Sequence, residues 1–402
     1  MNQDIRHKLQ TSIRYHLKQS QDDLVNFASE LIRIPSENPP GNLSSKCAAL
    51  IASRLSKLGL TVKKVNPTGS GPCVFGTYGK GNRVFYFSGH YDVVPAQDKS
   101  QFNPLVRKSN LHGRGSADMK GGIAAMAYAI YALAKSGFAP KGRVVLVSVP
   151  DEETSGPRGT VALVKAGLIH ESSIGMLTME PTSGIVWNAN RGVISIRVTV
   201  RGKPAHVGLH FRGVNAFEGM LSIAHELSSL RKEVGQRLTL HNISPDPARQ
   251  SILLMGGELG GGHNFNVVPE YVSFTVDRRT NPEENFDLER GRLLDIVAKA
   301  QAQGIDCEVE VFQEGKSSAS DAQGKLGKAL GESILQVTGE SAQFELCPGV
   351  LETRHYAALG IPAMAYGPGL LSVAHGPKEF VSIRKMLQCA EVYALTAANL
   401  LS

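Results

Sequence analysis

The sequence has no CxxC pair, no apolar run long enough to cross a bilayer and no cluster of basic residues. Each absence removes a class of protein. The five cysteines (Cys47, Cys73, Cys307, Cys347 and Cys389) are odd in number and scattered. They predict reduced, mostly buried thiols in a cytoplasmic protein rather than a disulfide framework. The longest apolar run, residues 121–134, is too short to span a membrane and follows Asp118 and Lys120 directly. It reads as a buried helix, and no membrane partner is expected. The first twenty residues are polar and mixed in charge, with Ile5, Leu9, Ile13 and Leu17 at four-residue spacing. That is one face of a helix and has no signal-peptide core. The net charge of +7 is spread out, the local groups being pairs such as Lys63-Lys64 and Arg278-Arg279. A nucleic-acid surface would cluster its basic residues among aromatics, so no nucleic-acid partner is expected. A small anionic substrate would suit the charge.

What is present is a long alternation of helical and strand-like segments without repeats or low-complexity tracts. At 402 residues the chain exceeds what one core usually serves, so two domains are expected. Helical stripes over residues 22–34 and 43–58 flank a loop at Ser36–Asn42 that holds Pro39 and Pro40. Strands are predicted at 61–65, 73–78, 84–88, 144–149 and 175–179, with helices after Asp118 and near 159–166. Continuous apolar strands between helices indicate a mainly parallel sheet covered on both faces. After Trp187 the style changes. Strands at 193–200, 251–256, 271–277 and 307–312, several of them alternating, accompany helices at 215–230 and 289–303, a compact α+β insert. A helix from Asp321 to Val337, short strands near 344 and 362–366, and a last helix from Ser382 return to the first style. The predicted fold is α/β, a mainly parallel sheet domain (1–190 and 316–402) interrupted by an insert (191–315).

Residues suited to chemistry stand where these strands end. Val84–Ser88 runs into Gly89-His90-Tyr91-Asp92, residues 144–149 into Pro150-Asp151-Glu152-Glu153, and residues 175–179 into Glu180-Pro181-Thr182. Asp118 lies in Gly113-Arg114-Gly115-Ser116-Ala117-Asp118-Met119-Lys120-Gly121-Gly122, and His375 follows Ala374 far downstream. Taken singly, each has an ordinary structural role. Taken together they fall at strand ends and loops of one predicted sheet, and open α/β folds bind ligands outside the carboxyl ends of their strands. Two histidines and three carboxylates suit zinc. If one carboxylate bridges, each metal has three protein ligands, as in two-metal hydrolases whose ions stand about 3.5–4 Å apart.

In this order the segments resemble the signature set of the M20 metallopeptidases, the group of acetylornithine deacetylase, succinyl-diaminopimelate desuccinylase, aminoacylase and carboxypeptidase G. The resemblance covers nearly the whole chain and continues through the insert as Gly202-Lys203-Pro204-Ala205-His206, Asn266-Val267-Val268-Pro269 and Asp277-Arg278-Arg279. It implies two zinc ions per subunit, with Co²⁺ or Mn²⁺ as substitutes. Asp118 would bridge them, His90 and Glu180 completing one site and Glu153 and His375 the other. It further implies that Asp92 orients His90, that Glu152 is the general base, and that the insert is a lid that forms a homodimer. There His206 would donate to the oxyanion in the partner subunit's site. Strand geometry would point Glu152 and Glu153 in opposite directions unless the turn re-aims them. Arg354, Arg279 and Arg191 would bind a substrate carboxylate, with Asn266 and the backbone at Gly367 as further contacts. Gly349-Val350-Leu351-Glu352-Thr353-Arg354 departs from the Gly-Thr-Ser-Asp-x-Arg of desuccinylases, losing a hydroxyl pair near that carboxylate. The implied reaction is hydrolysis of an N-acyl amino acid, with a dipeptidase or carboxypeptidase as the alternative and a non-catalytic binding relative as a distant one.

Overall fold

The computed structural model describes residues 3–170 and 173–402. The chain divides into two compact units, one formed by Met1–Asn188, Ser320–Glu345 and His355–Ser402, the other by Ala189–Ala319 and Leu346–Arg354.

In the first unit the extended run Cys73–His90 makes two arms around the strand Lys141–Val149. Along Val74–Gly79 the paired residues fall from Ser148 to Arg143, and along Val84–His90 they rise from Arg143 to Val149. The first arm therefore runs against that strand and the second runs with it. Thr61–Val65 pairs antiparallel with the first arm. Gly175–Thr178 lies parallel to the second arm, and Ala363–Ala365 parallel to Gly175–Thr178. Four neighbouring strands thus share one direction, and their carboxyl ends lie along one edge of the sheet. Val186–Asn190, a strand with no sequence signal beyond its single tryptophan, pairs antiparallel with Ala363–Ala365 through Trp187 and Ala365.

Burial explains the uninterrupted apolar runs of these strands. Phe85, Phe87 and Leu146 join a core on one face, while Val84, Tyr86, Val145 and Val147 join another on the opposite face. A sheet covered on both sides needs apolar residues at every position. The helix Lys120–Lys135 is buried on nearly all sides, packed against the helices Gln3–Gln19, Gln21–Ile32 and Ile383–Leu401. Its alanines let those neighbours approach, and Ile123, Met126, Ile130 and Leu133 fill the space between them. The longest apolar run of the sequence is therefore the buried helix it was expected to be. No helix among the described residues is long and apolar enough to cross a membrane.

A small sheet of Leu105–Arg107, Asn110–His112 and Phe380–Ser382 has no counterpart in the sequence reading. Its strands are three residues long, below the span in which an alternation shows, and Leu105 and Val106 are exposed.

The second unit is a four-stranded antiparallel sheet, ordered Cys307–Gly315, Gly192–Arg201, Tyr271–Thr280 and Ile252–Gly261. The helices Ala216–Val234 and Phe286–Ala302 cover one face. Ile194, Ile196, Val198 and Val200 point into its core. The opposite set starts buried: Val193 and Ser195 are covered, and exposure begins at Arg197. Leu346–Arg354, assigned by sequence to the first domain, belongs to this unit. Leu346 donates its N–H to Asn242 at 2.7 Å, Arg191 donates to the carbonyl of Gly349 at 3.1 Å, and the Thr353 hydroxyl reaches Asn190 Oδ1 at 3.2 Å. Those bonds cross a long sequence gap, which periodicity does not reveal. All five cysteines are free and buried.

Ile130→Ala should lower the stability of the first unit by about 2–5 kcal/mol, the cost of emptying a closed apolar site. A urea midpoint that falls at unchanged slope would show it.

Candidate metal centre

The shared strand direction brings the predicted residues together. His90 ends the second arm of Cys73–His90, Glu152 and Glu153 lie in the turn after Lys141–Val149, and Glu180 follows Gly175–Thr178. Asp118 and His375 come from the loops before the helix Lys120–Lys135 and before the strand Phe380–Ser382. His90 Nε2 lies 3.1 Å from Asp118 Oδ1, and His375 Nε2 lies 3.1 Å from Asp118 Oδ2. Glu180 is 3.8 Å from His90 Nε2, and Glu153 is 3.2 Å from His375 Nε2. The donors form two groups, His90–Asp118–Glu180 and Asp118–Glu153–His375, within each of which the ligand atoms lie within 4.8 Å of one another. Asp118 belongs to both.

Glu152 and Glu153 do not point apart as a strand would have them. They occupy a turn, and both reach the cluster. Glu153 faces His375, while Glu152 Oε2 lies 3.9 Å from His90 Nε2.

The charge of the cluster suits cations. Among the described residues no lysine or arginine pairs with Asp118, Glu153 or Glu180, and buried Glu180 Oε1 has no hydrogen-bond partner. Burial, with Asp118 and Glu153 nearby, pushes Glu180 up to about 7 against its hydrogen bond to His90. Burial likewise raises Glu153, with Asp118 adding to it. Hydrogen bonds to Asp118 and Glu153 raise His375 to about 10. Burial opposes a charged His90, yet its bonds to Asp118, Asp92 and Glu180 raise it well above the usual imidazole value. Against the effect of burial, the two imidazoles hold Asp118 low. These are imidazole nitrogens and carboxylate oxygens crowded around two points, the donor set that divalent metals take. Protons and metal compete for the same atoms.

A second tier of groups holds the donors in place. His90 Nδ1 meets the Asp92 carbonyl at 3.1 Å and the Asp92 carboxylate at 3.4 Å, so the other ring nitrogen is turned to the cluster. The same carboxylate accepts the N–H groups of Glu152 and Glu153 at 3.3 and 3.2 Å. Glu379, which the sequence reading missed, is buried and accepts the N–H groups of Gly115, Ala117 and Asp118 at 3.1, 2.9 and 3.1 Å. It also pairs with buried Arg114 at 2.6 Å, whose guanidinium in turn reaches the carbonyl of His375 at 3.1 Å. Burial pushes Glu379 up, with the nearby Asp118 charge adding to it, against the bonds from Gly115, Ala117 and Arg114. One buried ion pair thus ties the loop of Asp118 to the loop of His375. Lys120, also buried, donates to the carbonyl of Ile34 at 2.7 Å and anchors the segment Ser36–Asn42 beside the site. Asn38 of that segment reaches both Asp92 and Asp151 at 2.9 Å.

The remaining predicted residues are placed as follows. Gly367 donates its N–H to Thr182 Oγ1 at 3.1 Å, and a Cβ there would come within 2.2 Å of the Glu180 carbonyl. Its backbone is thus committed to holding the Glu180 segment. His206, Asn266, Arg191, Arg279 and Arg354 belong to the second unit. His206 is exposed and its Nδ1 accepts from Gly208 at 3.1 Å, while Asn266 accepts the N–H of Val207 at 2.9 Å, so these two segments are neighbours. Arg279 grips Asp277 through two bonds, and buried Arg354 donates to the Leu351 carbonyl at 2.7 Å. Arg191 is buried, donates to the Ala248 carbonyl and is held below the ordinary guanidinium value by burial.

Removing the Glu379 charge strands the Arg114 cation in the interior. Glu379→Leu should cost about 3–5 kcal/mol, the penalty for breaking a buried pair. Glu379→Gln, which keeps an acceptor for the loop amides, should cost less. Urea melts compare them, and equal losses would show that the amide contacts do not matter.

The chain matches the family model described as peptidase family M20/M25/M40 over residues 86–399. Among solved structures it resembles the di-peptidase Dug1p of Saccharomyces cerevisiae, at 17% identity and TM-score 0.75 over 97% of this chain and 98% of that one. It also resembles the M20 family metallo-carboxypeptidase Sso-CP2 of Sulfolobus solfataricus, at 17% identity and TM-score 0.76 over 94% and 99% of the two chains. A third is the YXEP protein of Bacillus subtilis, described as a dinuclear metal binding peptidase, at 17% identity and TM-score 0.68 over 96% and 99%. The chain belongs to peptidase family M20/M25/M40, and its activity is that of a metal-dependent amide hydrolase.

Proposed function

We propose that the protein is a dinuclear zinc hydrolase that cleaves an N-acyl amino acid to a carboxylate and a free amino acid. The observation that carries the reading is the pair of three-donor groups sharing Asp118, with the carboxylate of Glu152 beside them. His90, Asp118 and Glu180 would hold one ion, and Asp118, Glu153 and His375 the other. Divalent ions held there would polarise the amide carbonyl and acidify a water. Glu152 takes the proton of that water and returns it to the leaving amine. Asp92 keeps His90 aimed at the cluster and, through the Glu152 N–H, keeps the base beside it.

In this reading a substrate carboxylate is bound by the arginines of the second unit, Arg354 and Arg279 foremost. The tetrahedral oxyanion takes a hydrogen bond from His206. The ring of His206 supports that role. Its Nδ1 accepts a backbone N–H, which places the proton of the neutral ring on Nε2 as a donor. The second unit exposes Val207, Leu209, Phe211, Phe217 and Leu221 around that histidine and the following helix. Such an apolar surface favours association, and the proposal includes a homodimer through this unit with His206 serving the partner's site.

A panel of N-acetyl, N-succinyl and N-formyl amino acids and dipeptides, followed by amine release, tests the substrate class. Turnover of N-acyl amino acids with loss on chelation is expected. Turnover of dipeptides alone would move the assignment to a dipeptidase, and full turnover without metal would end the dinuclear reading. Glu152→Gln should lower kcat by about 100- to 10,000-fold while metal content stays full.

His206→Ala should cost about 100- to 1,000-fold in kcat. Mixing His206→Ala with Glu152→Gln chains should restore activity, because one site of each heterodimer carries neither defect. Mixed dimers that form and stay inactive would place the histidine in its own chain's site.

A further inference from the structure

The segment between Pro35 and Asn42 reads in the sequence as a proline-rich loop with no chemistry assigned to it. In the structure it is wound into the base of the metal centre. Asn38 donates its backbone N–H to Val93 O at 2.8 Å, Val93 returns its own to Ser36 O at 3.0 Å, and the Ser36 hydroxyl holds the Tyr91 carbonyl at 2.6 Å. Glu37 accepts the N–H of Ala96 at 2.9 Å. The segment therefore runs beside the residues that carry His90 and Asp92.

Asn38 is 3% exposed. Its amide nitrogen faces Asp92 Oδ2 and Asp151 Oδ1, each at 2.9 Å, and Thr154 Oγ1 at 3.3 Å. Its oxygen accepts from Arg158 Nη2 at 3.2 Å. Two carboxylates on one side and a guanidinium on the other leave one orientation of the amide. The two carboxylates have separate duties. Asp92 backs His90 and accepts the N–H groups of Glu152 and Glu153. Asp151 takes the N–H of Arg158 at 3.0 Å, its guanidinium at 2.7 Å and the Thr154 hydroxyl at 3.0 Å, closing the turn that displays Glu152 and Glu153. Asp151 holds a left-handed backbone at φ 71, a conformation that a non-glycine residue keeps only when its surroundings enforce it. Like charges this close repel unless a donor stands between them, and Asn38 is the neutral donor that bonds to both.

We propose that Asn38 is a positioning residue. By bridging Asp92 and Asp151 it locks the orientation of His90 to that of the Glu152–Glu153 turn, so that metal ligands and base keep one register. The role rests on the hydrolase reading above for its effect on turnover, but its effect on metal binding does not. Arg158 completes the clamp, and a Cβ on Gly41 would come within 2.5 Å of the Arg158 guanidinium, so the turn after Asn38 is shaped around it.

The test compares Asn38→Leu with Asn38→Asp in the full chain. Asp keeps the acceptor for Arg158 but removes both donors and sets a third carboxylate against two. Leu removes donor and acceptor without adding charge. Co²⁺ affinity and the visible spectrum of the Co²⁺-loaded protein are read alongside the thermal midpoint and, on any substrate the wild type turns over, kcat and KM. The expected result is a loss of about 10- to 100-fold in metal affinity for Leu, the usual effect of removing such a supporting contact, and a larger loss for Asp. Both variants should change the Co²⁺ spectrum, and the fall in turnover should lie in kcat. A merely structural role, in which Asn38 serves as the acceptor for Arg158, predicts the opposite order, with Asp milder than Leu. That order, or an unaltered spectrum and affinity in both variants, would overturn the proposal. A wild type that hydrolyses nothing in the panel would count against the hydrolase reading, while the Co²⁺ measurements would still decide the role of Asn38.

Discussion

Two imidazoles meet on one carboxylate. Asp118 has an Oδ atom 3.1 Å from each of His90 Nε2 and His375 Nε2, and so joins the two histidines in one cluster. His90 ends a strand of the sheet, whereas His375 lies in a loop almost three hundred residues later in the sequence. Their meeting depends on where the Asp118 loop is held. Glu379 sets that position with three backbone N–H acceptances and an ion pair to Arg114, which also holds the His375 carbonyl. A buried pair of this kind contributes little net stability when compared with apolar replacements. Its use here is geometric, since it fixes two loops against each other at the mouth of the sheet.

Beneath the loops, the sheet does the coarse positioning. Parallel strands place their carboxyl ends together, so His90, Glu152, Glu153 and Glu180 converge with no long-range device beyond strand pairing. Each then needs local support. Asp92 serves His90 and the Glu152–Glu153 turn at once, Gly367 leaves room for the Glu180 carbonyl, and Lys120 holds the Pro35–Asn42 segment from below. The cluster is consequently stiff on the side of His90 and Glu180, which are buried, and open on the side of His375, which is exposed.

The strands, the core helix and the residues of the cluster were legible because their signals are short-range. An apolar run followed within a few residues by His, Glu or Asp is visible in one window of sequence, and the run itself reports burial on both faces. The supporting groups were not legible for the opposite reason. Glu379 acts on Gly115–Asp118 from some 260 residues away, and no spacing rule connects them. Asn38 sits among prolines that mark a turn and nothing more. Leu346–Arg354 was assigned to the wrong unit because its partners, Asn242, Arg191 and Asn190, lie far upstream. Strand geometry would point Glu152 and Glu153 apart unless the turn re-aims them, and the turn at Asp151 does bring both to the cluster.

The most direct test of the shared carboxylate is metal stoichiometry in single variants. The account predicts two ions bound per wild-type chain, one retained in His375→Ala, and none held tightly in Asp118→Asn, because that substitution leaves one neutral oxygen where two oxygens of a carboxylate served the two groups. An Asp118→Asn protein that keeps one ion at wild-type affinity would contradict it.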